Sequence, residues 1–579
     1  MIKKSTYSFL FYFISFLNYA QNSTFLTTFE KSSGLETATY FEVIDFYKNL
    51  ARVHPEISVF EMGKTDSGFP LHLVVYDSSK KFDFKKIRAN KTVVFINNGI
   101  HPGESDGIDA SMMLLRDIVQ NRITLPNSEN FILAAIPIYN IGGALNRNST
   151  TRVNQNGPKE YGFRGNARNF DLNRDFIKSD TKNTRSFAEI FHLINPDVFI
   201  ETHVSNGADY QYAITHLFTQ HNKLGGKLGA FLENEMRPQI EESLLKKDIS
   251  ITPYVNVWGK TPDTGFSQFF DSPRYSSGFA TLFNTFSFMI ETHMLKPYKQ
   301  RVEQTYSLLE SAIEFTLNNT SKIEELRINA VSNFIEQKSY PIQFTLDEAA
   351  FTTILFKGYE GSYINSKVTT GKRLFYDQSK PFTKPINYYN QFKASKNITI
   401  PKAYILKQGF WPILDRLNDN KIEYIIFKKD TSIIVEVQTI KDFKTINEAF
   451  EGHYMHYNTE VLSTTKTINF NKGDVYIPVN QNGARYLFET LEAEAIDSFF
   501  NWNFFDSILQ EKEGYSAYVF EDIAEQFLIK NPEIKELLQT KITADKEFAN
   551  NPQAQLDFIY KNSPYYEAAH LKLPIYKVF

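Results

Sequence analysis

The sequence predicts an α/β fold, a mixed sheet flanked by helices, followed by a second, smaller β-rich α+β domain. Short apolar runs rich in β-branched and aromatic residues alternate with segments of helical periodicity. Polar residues suited to chemistry follow some of these runs directly, which is where open α/β sheets place their ligand sites. Near residue 325 the pattern changes, and short β-like runs with a few interposed helical pieces prevail. The first two observations predict the α/β part, and the third predicts the second domain.

The first part is predicted to alternate strands with helices. Residues 36–54 have helical character and lead into the sheet. The predicted strands are 58–62, 71–76, 93–96, 132–138, 197–200 and 287–290. The predicted helices are 106–120, 184–194, 224–245 and 298–318. Two polar tracts, 146–157 and 162–169, carry little hydrophobic periodicity, and a loop of this length in a compact domain is usually functional. We therefore expect a structured active-site loop there.

The second part is predicted to be mixed and rich in strands. The predicted strands are 340–344, 398–401, 424–427, 432–437, 467–470 and 475–477. Helical pieces are predicted at 411–418 and 521–529. His453 and His456 lie close together without a carboxylate cluster in the nearby sequence, so we interpret them as ordinary surface or core histidines. No pattern in this part indicates its role.

Length and composition limit the classes of protein that fit. A chain of 579 residues is too long for one ordinary domain. Its net charge of −3 gives no indication of nucleic acid or an anionic membrane as a partner. The absence of cysteine excludes disulfides, cysteine-based catalysis and cysteine ligands to zinc. The predicted division of the chain is an N-terminal segment at residues 1–20, a first domain at 21–322 and a C-terminal accessory domain at 323–579.

The N-terminal segment has the pattern of a secretory signal peptide. A positive start, Met1-Ile2-Lys3-Lys4, precedes a short apolar core at residues 10–17. Ala20-Gln21 is a plausible cleavage point, and an uncleaved anchor is the alternative. The run is too short and interrupted to favour a membrane span. We therefore expect a periplasmic or secreted protein with no membrane span after signal removal.

Two histidines and a glutamate follow predicted strands and could hold a metal ion. His101 and Glu104 lie on the loop after strand 93–96, and His203 ends the strand that opens at 197. A neutral imidazole nitrogen and a hard carboxylate oxygen together suit zinc. By itself a His-x-x-Glu motif is a weak signal, because it recurs by chance in many chains.

The pattern as a whole resembles the zinc carboxypeptidases of the carboxypeptidase A type, the M14 metallopeptidases. His-x-x-Glu, a later histidine at a strand end, an Asn-Arg pair between them and a glutamate near the domain end all occur in order, within about residues 35–320. The resemblance implies one Zn²⁺ per chain, held by His101, Glu104 and His203, with one position left for water. It also implies that Glu291 is the general base that deprotonates this water.

Glu-Thr-His occurs twice, at 201–203 and 291–293, so either histidine could be the third ligand. We choose His203, because the turn that follows it resembles the ligand turn of the family and because the catalytic glutamate should come last. His293 is then expected to pack or hydrogen-bond nearby.

The resemblance also implies residues that recognise the substrate. Asn173 and Arg174 correspond to the pair that binds a free C-terminal carboxylate, for which a guanidinium fork is suited. Arg152 is the candidate for stabilising the oxyanion, with Arg147 as the alternative. Tyr275 is the candidate for the tyrosine that closes over the substrate. Two positions depart from the family pattern, since Gly103 stands where many members have Arg and Asp175 where Asn is frequent.

The predicted activity is therefore hydrolysis of the C-terminal residue of peptides or proteins by a zinc-dependent metallocarboxypeptidase. Two alternatives remain open: an amidase or deacylase acting on cell-wall peptides or acyl-amino acids, and a non-catalytic peptide-binding protein on the same fold. Loss of a ligand or of the glutamate would indicate the non-catalytic protein, and neither is lost here.

Overall fold

A computed structural model of the protein describes residues 25–84 and 91–579. The predicted signal peptide at residues 1–20 lies outside the described residues. Among the described helices, none combines the length and the apolar character that crossing a bilayer requires.

The first part of the chain is built on one mixed sheet of eight strands, ordered β1-β2-β4-β3-β5-β9-β6-β7. A separate short strand, β8, lies outside this sheet. The bounds are β1 Ile57–Lys64, β2 Pro70–Tyr76, β3 Thr92–Asn97, β4 Phe131–Ile136, β5 Val198–Ser205, β6 Ile214–Phe218, β7 Ile251–Pro253, β8 Phe266–Ser267 and β9 Phe286–His293. The central strands β4, β3, β5 and β9 run parallel. Their carboxyl ends therefore meet at one edge of the sheet, as the sequence predicts.

Helices cover the sheet and account for the helical periodicity of the sequence. Their bounds are α1 Thr28–Lys31, α2 Tyr40–Val53, α3 Asp106–Val119, α4 Ile141–Leu145, α5 Lys182–Ile194, α6 His221–Leu224, α7 Gly226–Phe231, α8 Arg237–Lys246, α9 Ser276–Thr281, α10 Tyr298–Asn318 and α11 Thr320–Glu336. The strands β3 and β4 are buried at every position. Burial on both faces explains why these strands read as continuous apolar runs rather than alternating ones. The predicted α/β class is confirmed.

The second part contains further sheets and helices, as the change of pattern near residue 325 predicts. Its strands are β10 Ser339–Leu346, β11 Thr352–Asn365, β12 Lys372–Tyr389, β13 Phe392–Thr399, β14 Ala403–Leu406, β15 Ile425–Ile426, β16 Thr431–Thr445, β17 His456–Phe470, β18 Val475–Pro478 and β19 Lys572–Val578. Its helices are α12 Trp411–Asp419, α13 Ala484–Leu491, α14 Ala517–Lys530, α15 Pro532–Ala544, α16 Lys546–Ala549 and α17 Pro552–Lys561. Six of the strands form one sheet, ordered β15-β18-β14-β19-β16-β17.

The two parts pack against each other through apolar side chains. One buried cluster contains residues of the central sheet together with residues of α13 and the segment after it. Phe283 stacks on Tyr486 with ring centroids 5.8 Å apart. Strand β8, from the first part, pairs in parallel with β12 of the second. The predicted boundary at residue 322 falls inside α11 and remains a prediction.

Candidate metal and catalytic site

The site lies where the central parallel strands end. Strand β3 ends at Asn97, and His101 and Glu104 follow on the loop before α3. The amide of Glu104 donates to the carbonyl oxygen of His101 over 2.8 Å, so a tight turn brings the two side chains to one side. His203 on β5 pairs in register with Glu291 on β9. The topology therefore gathers these four residues at one edge of the sheet.

Three buried side chains converge on one point. His101, Glu104 and His203 each offer a ligand atom, and these atoms all lie within 4.8 Å of one another. Glu104 Oε2 lies 3.2 Å from His101 Nδ1 and 3.0 Å from His203 Nδ1. Two imidazoles and one carboxylate are the donor set of several catalytic zinc sites. The residues present therefore fit a zinc ion.

The groups around Glu104 favour the ionised form of its carboxyl group. Burial alone would raise the pKa of this carboxyl, but the adjacent His101 and Arg152 hold the pKa well below its ordinary value. Arg152 Nη1 lies 2.9 Å from Glu104 Oε1, and the backbone amide of Val204 donates to Oε2 over 3.0 Å. A carboxyl group must be ionised to bind a metal ion, and the lowered pKa favours that form of Glu104.

Glu291 faces the same cavity as the three candidate ligands. Burial raises the pKa of Glu291 to about 7, and the neighbouring His203 limits the rise. The other glutamate of this edge, Glu201, is fully buried and accepts hydrogen bonds from Asn97 and Ser276. Of the two, Glu291 alone lines the cavity among the described residues.

The predicted substrate-binding residues line the same cavity, which has a volume of about 570 Å³. The guanidinium of Arg174 stacks on the ring of Tyr275, 4.5 Å from its centroid. Asn173 Nδ2 lies 3.4 Å from His203 Nε2, and Asn173 Oδ1 accepts from the amide of Ser276 over 3.2 Å. The structure thus brings Asn173, Arg174 and Tyr275 together with the candidate metal ligands.

Two arginines, rather than one, lie beside the ligands. Arg152 lines the cavity, and so does Arg164, whose Nη1 is 3.6 Å from Glu104 Oε1. Arg164 was missed at the sequence level, although it lies in one of the polar tracts. Arg147, the alternative to Arg152, is directed elsewhere and donates to the backbone carbonyls of Ala38 and Glu160.

Both departures from the family pattern have a local explanation. A side chain at Gly103 would collide with Arg152, because a Cβ there would lie 2.5 Å from the Cδ of that arginine. Asp175 is fully buried and accepts from the hydroxyls of Thr181 and Thr184 at 2.6 and 2.7 Å. The first departure leaves room for Arg152, and the second fastens the loop that carries Arg174.

That loop, residues 169–181, which we call the clamp loop, is also held from the second part of the chain. The amide of Asp171 donates to Glu451 Oε2 over 2.9 Å, and His453 Nε2 lies 2.7 Å from Asp180 Oδ2. Asp171 in turn lies 2.9 Å from His101 Nε2. Glu451 was missed because it is 280 residues from its partner in sequence and lies in no motif.

Glu451 occupies the tip of a tight turn. Phe450 and His453 exchange backbone hydrogen bonds of 2.8 and 3.1 Å. Between them Glu451 and Gly452 have φ of +50° and +82°, the left-handed region typical of two-residue hairpin turns. The turn fits closely, since a Cβ on Gly452 would lie 3.1 Å from the ring of Phe170.

His293, the alternative third ligand, has other neighbours. Its Nε2 lies 3.4 Å from Asp209 Oδ1, and its ring lies 4.2 Å from the ring centroid of Tyr210. It is not among the side chains that line the cavity. The residues that line the cavity include Leu217 and Met289, which pair directly across β6 and β9.

The amino-acid sequence of this chain is similar to those of known carboxypeptidases. Residues 43–206 match a family model described as zinc carboxypeptidase. Carboxypeptidase 2 of Trichophyton equinum is 23% identical over 498 residues, which cover 81% of this chain and 84% of the fungal protein. Carboxypeptidase 2 of Trichophyton rubrum is 22% identical over 500 residues, with the same two coverages.

Solved structures similar to this chain include other carboxypeptidases. Carboxypeptidase A from Helicoverpa armigera aligns with a TM-score of 0.37 and 14% identity, over 48% of this chain and 74% of that protein. A metallo-carboxypeptidase from Burkholderia cenocepacia aligns with a TM-score of 0.36 and 16% identity, over 49% of this chain and 70% of that protein. The family match and the fungal relatives confirm the predicted relationship to the zinc carboxypeptidases and the predicted enzyme class.

Proposed function

We propose that this zinc metallocarboxypeptidase removes single residues from the C-termini of peptides, with His101, Glu104 and His203 as the ligands of one zinc ion. The observation that carries the proposal is the convergence of three buried ligand atoms within 4.8 Å in a cavity that also contains a glutamate and an Asn-Arg pair. A zinc ion bound there would supply Lewis-acid chemistry, polarising the scissile carbonyl and acidifying a water molecule.

The chain's own residues have the other roles. Arg174 binds the terminal carboxylate through its guanidinium, with the amide of Asn173 as a second donor. Glu291 accepts a proton from the attacking water and returns one to the leaving amine. Arg152 donates to the oxygen on which negative charge develops, and Tyr275 covers the bound residue. Arg164, which also lines the cavity, is a second candidate for the role of Arg152.

Part of the cavity lining is apolar and suits an apolar C-terminal side chain. Leu217, Met289 and Phe269 line it together, and none of them carries a charge. An acidic or basic terminal side chain directed at this wall would lose its hydration without gaining a partner, which is costly. We therefore propose peptides with an aliphatic or aromatic last residue as the preferred substrates.

Two further features of the chain are proposed on the sequence alone. The signal-like segment at residues 1–20 favours action outside the cytoplasm. The division at residue 322 separates the proposed catalytic part from an accessory part.

The proposed metal site predicts zinc content directly. The purified protein should hold about one zinc ion per chain by elemental analysis, and His203→Ala should lose most of it, because one of three protein ligands is removed. A matched control is His293→Ala, the other His of the repeated Glu-Thr-His, which should keep its zinc. Full zinc in His203→Ala together with loss in His293→Ala would reverse the assignment.

The role of Glu291 is tested by Glu291→Gln, which keeps the shape and removes the base. We expect bound zinc to be unchanged and kcat on a peptide with an apolar C-terminal residue to fall by about two to four orders of magnitude, the usual contribution of a positioned acid–base group. Loss of zinc in this variant would make Glu291 a ligand. Full activity would assign the base to another carboxylate, with Glu201 the first to examine.

The activity itself is tested by incubating the wild type with a mixed peptide library, with and without a chelator. Stepwise loss of C-terminal residues that stops with chelator is the expected result. Binding of peptides without any cleavage would favour a non-catalytic protein instead.

A further inference from the structure

Tyr275, the residue proposed to cover the bound substrate, lies between two residues that are held from different parts of the molecule. We call residues 273–276, between β8 and α9, the tyrosine segment. Tyr275 lines the catalytic cavity. Arg274, before it, contacts the second part of the chain, and Ser276, after it, contacts residues close to the candidate metal ligands. The position of Tyr275 therefore depends on what holds its two neighbours.

Ser276 is held by residues of the first part. Its amide donates to Asn173 Oδ1 over 3.2 Å, and its hydroxyl donates to Glu201. Glu201 Oε2 in turn lies 3.1 Å from His203 Nε2. Because Ser276 and Glu201 are both fully buried, water does not compete for the bond between them. One side of Tyr275 is thus fastened beside the candidate metal site.

Arg274 is held by a carboxylate of the second part. Its amide donates to Asp497 Oδ2 over 2.9 Å, and its Nε donates to Oδ1 over 2.7 Å. Asp497 is fully buried, and the two bonds give each of its oxygens a donor. A buried carboxylate needs such partners, and charge-assisted bonds are stronger than neutral ones. The pair therefore fastens both the backbone and the side chain of Arg274.

Two aromatic rings of the second part contact the same guanidinium. Arg274 Cζ lies 5.1 Å from the ring centroid of Trp502 and 5.9 Å from that of Phe450. The two rings are stacked on each other, with centroids 6.2 Å apart and 21° between their planes. A cation within about 6 Å of an aromatic face is attracted to it. The ion pair and the rings therefore hold Arg274 from one side.

Tyr275 itself contacts the proposed carboxylate clamp. Its ring lies edge-on to Phe269 with centroids 5.1 Å apart, and the guanidinium of Arg174 lies 4.5 Å from its centroid. A shift of the tyrosine segment would therefore remove a contact from Arg174 as well as the cover over the cavity.

We propose that Arg274 and Asp497 are positioning residues, which hold Tyr275 at the catalytic cavity before substrate binds. This inference rests on the proposed carboxypeptidase function. A cover that is already in place need not be ordered when substrate binds, and this saves binding free energy. The inference also gives the second part of the chain a role, because Asp497 and the two rings complete a site whose proposed catalytic residues all lie in the first part.

The kinetic test uses Asp497→Asn, which keeps the shape of the side chain and removes its charge. It is made both in the wild type and in Tyr275→Ala, and kcat/KM for one apolar peptide is measured with the zinc-loaded full chain. In the wild type we expect a fall of about tenfold, because the bound residue loses a large contact. In Tyr275→Ala the same change should alter kcat/KM by less than about twofold, because no tyrosine is left to position.

A second measurement needs no catalysis. Amide hydrogen exchange is followed by mass spectrometry in the substrate-free full chain, over the peptide that contains the tyrosine segment. In Asp497→Asn we expect this peptide to exchange about tenfold faster or more, because the amide of Arg274 loses a charged acceptor. Helix α10 should keep its wild-type rate. Wild-type exchange in the tyrosine segment of the variant would overturn the proposal.

Glu494→Gln is the matched control for Asp497→Asn. Glu494 lies on the same segment of the second part, but it accepts from the side chain of Lys396 and the amide of Val461, which both belong to the second part. Its substitution should leave kcat/KM and the exchange of the tyrosine segment unchanged.

The two backgrounds separate positioning from a general folding defect. A defect of folding would lower kcat/KM equally in the wild type and in Tyr275→Ala, and that result would overturn the positioning role while leaving the carboxypeptidase activity intact. Failure of the wild type to cleave the peptide would overturn the proposed function, and this role with it.

Discussion

Among single residues, the candidate site is organised by opposite charges in close contact. Glu104 lies between two histidines and Arg152, and Asp171 lies between His101 and Arg164. Burial would raise the pKa of Asp171, but His101 and Arg164 lower it. Such a network fixes the side chains before substrate binds, which is what catalysis by positioned groups requires.

Arg174 is the residue whose loss should separate a carboxypeptidase from an amidase. Arg174→Ala is expected to lower kcat/KM for peptides with a free C-terminus by roughly a hundredfold, because a charge-assisted, bidentate contact is removed. Hydrolysis of the same peptides with a C-terminal amide should change little, since they cannot form that contact. Both rates are measured on one peptide pair.

A suitable control for this variant is Arg168→Ala. Arg168 lies directly before the clamp loop and stacks on Phe170, but it does not line the cavity. An equal loss on acid and amide substrates in Arg174→Ala would show that Arg174 is not the carboxylate clamp, and would favour the amidase alternative.

The residues of the site were predictable from the sequence to different degrees. His101, Glu104, Asn173 and Arg174 lie in short motifs, and His203 and Glu291 follow apolar runs, so the motifs together with the family resemblance indicated them as candidates. Arg164 was missed because its loop has no periodic pattern to align it with the ligands. Glu451 was missed because its contact with Asp171 depends on how two distant parts of the chain pack.

At the level of elements, the strands of the central sheet were predicted better than those of the second part. Strands β3, β5 and β9 are buried apolar runs, and the predicted positions agree with them within a few residues. The hairpin of β11 and β12 was not predicted. Many of its positions are exposed, so its sequence lacks the apolar run or clear alternation on which strand prediction depends.

The contact between the turn that carries Glu451 and the clamp loop can be tested by substitution. Glu451→Ala removes the acceptor for the amide of Asp171, and we expect KM for peptides with a free C-terminus to rise on the order of fivefold, the effect of about one net hydrogen bond. The value of kcat should change less, because Glu451 acts through the clamp loop and touches no reacting atom. Steady-state kinetics on one apolar peptide measure both.

Glu451→Gln should restore most of the wild-type KM, since the amide side chain keeps an oxygen acceptor. Glu448→Ala, an exposed position on the same segment, is the matched control. If alanine at 451 left KM unchanged, the turn would not position the clamp loop.

On the scale of the whole molecule, buried carboxyl groups link stability to pH. Glu489, on α13, is buried where the two parts meet and accepts from the hydroxyl of Tyr340 over 3.1 Å. Burial raises the pKa of Glu489 from 4.5 to about 7. The folded state therefore binds a proton more tightly than the unfolded state between these values. The stability that this group contributes is full below about pH 4.5 and is lost as pH rises through about 7.

This linkage predicts that Glu489→Gln, which is neutral throughout, differs in stability from the wild type at one pH value and not at another. At pH 5 the variant and the wild type should unfold at similar denaturant concentrations. At pH 8 the variant should be the more stable, by an amount that grows by up to about 1.4 kcal/mol per pH unit across the interval. Glu521→Gln, an exposed position on α14, should show no such difference. A variant less stable than the wild type at pH 8 would contradict the prediction.

The shared core between the two parts has a practical consequence for recombinant work. Phe283 is buried against Tyr486, and Arg485 donates to the carbonyl oxygens of Lys223 and Leu224. A fragment that ended at residue 322 would expose this apolar surface to solvent, together with the clamp loop on the side where Glu451 and His453 now lie. The two parts are therefore expected to be stable only when they are produced together in one chain, because a break between them would expose the apolar surface that they share.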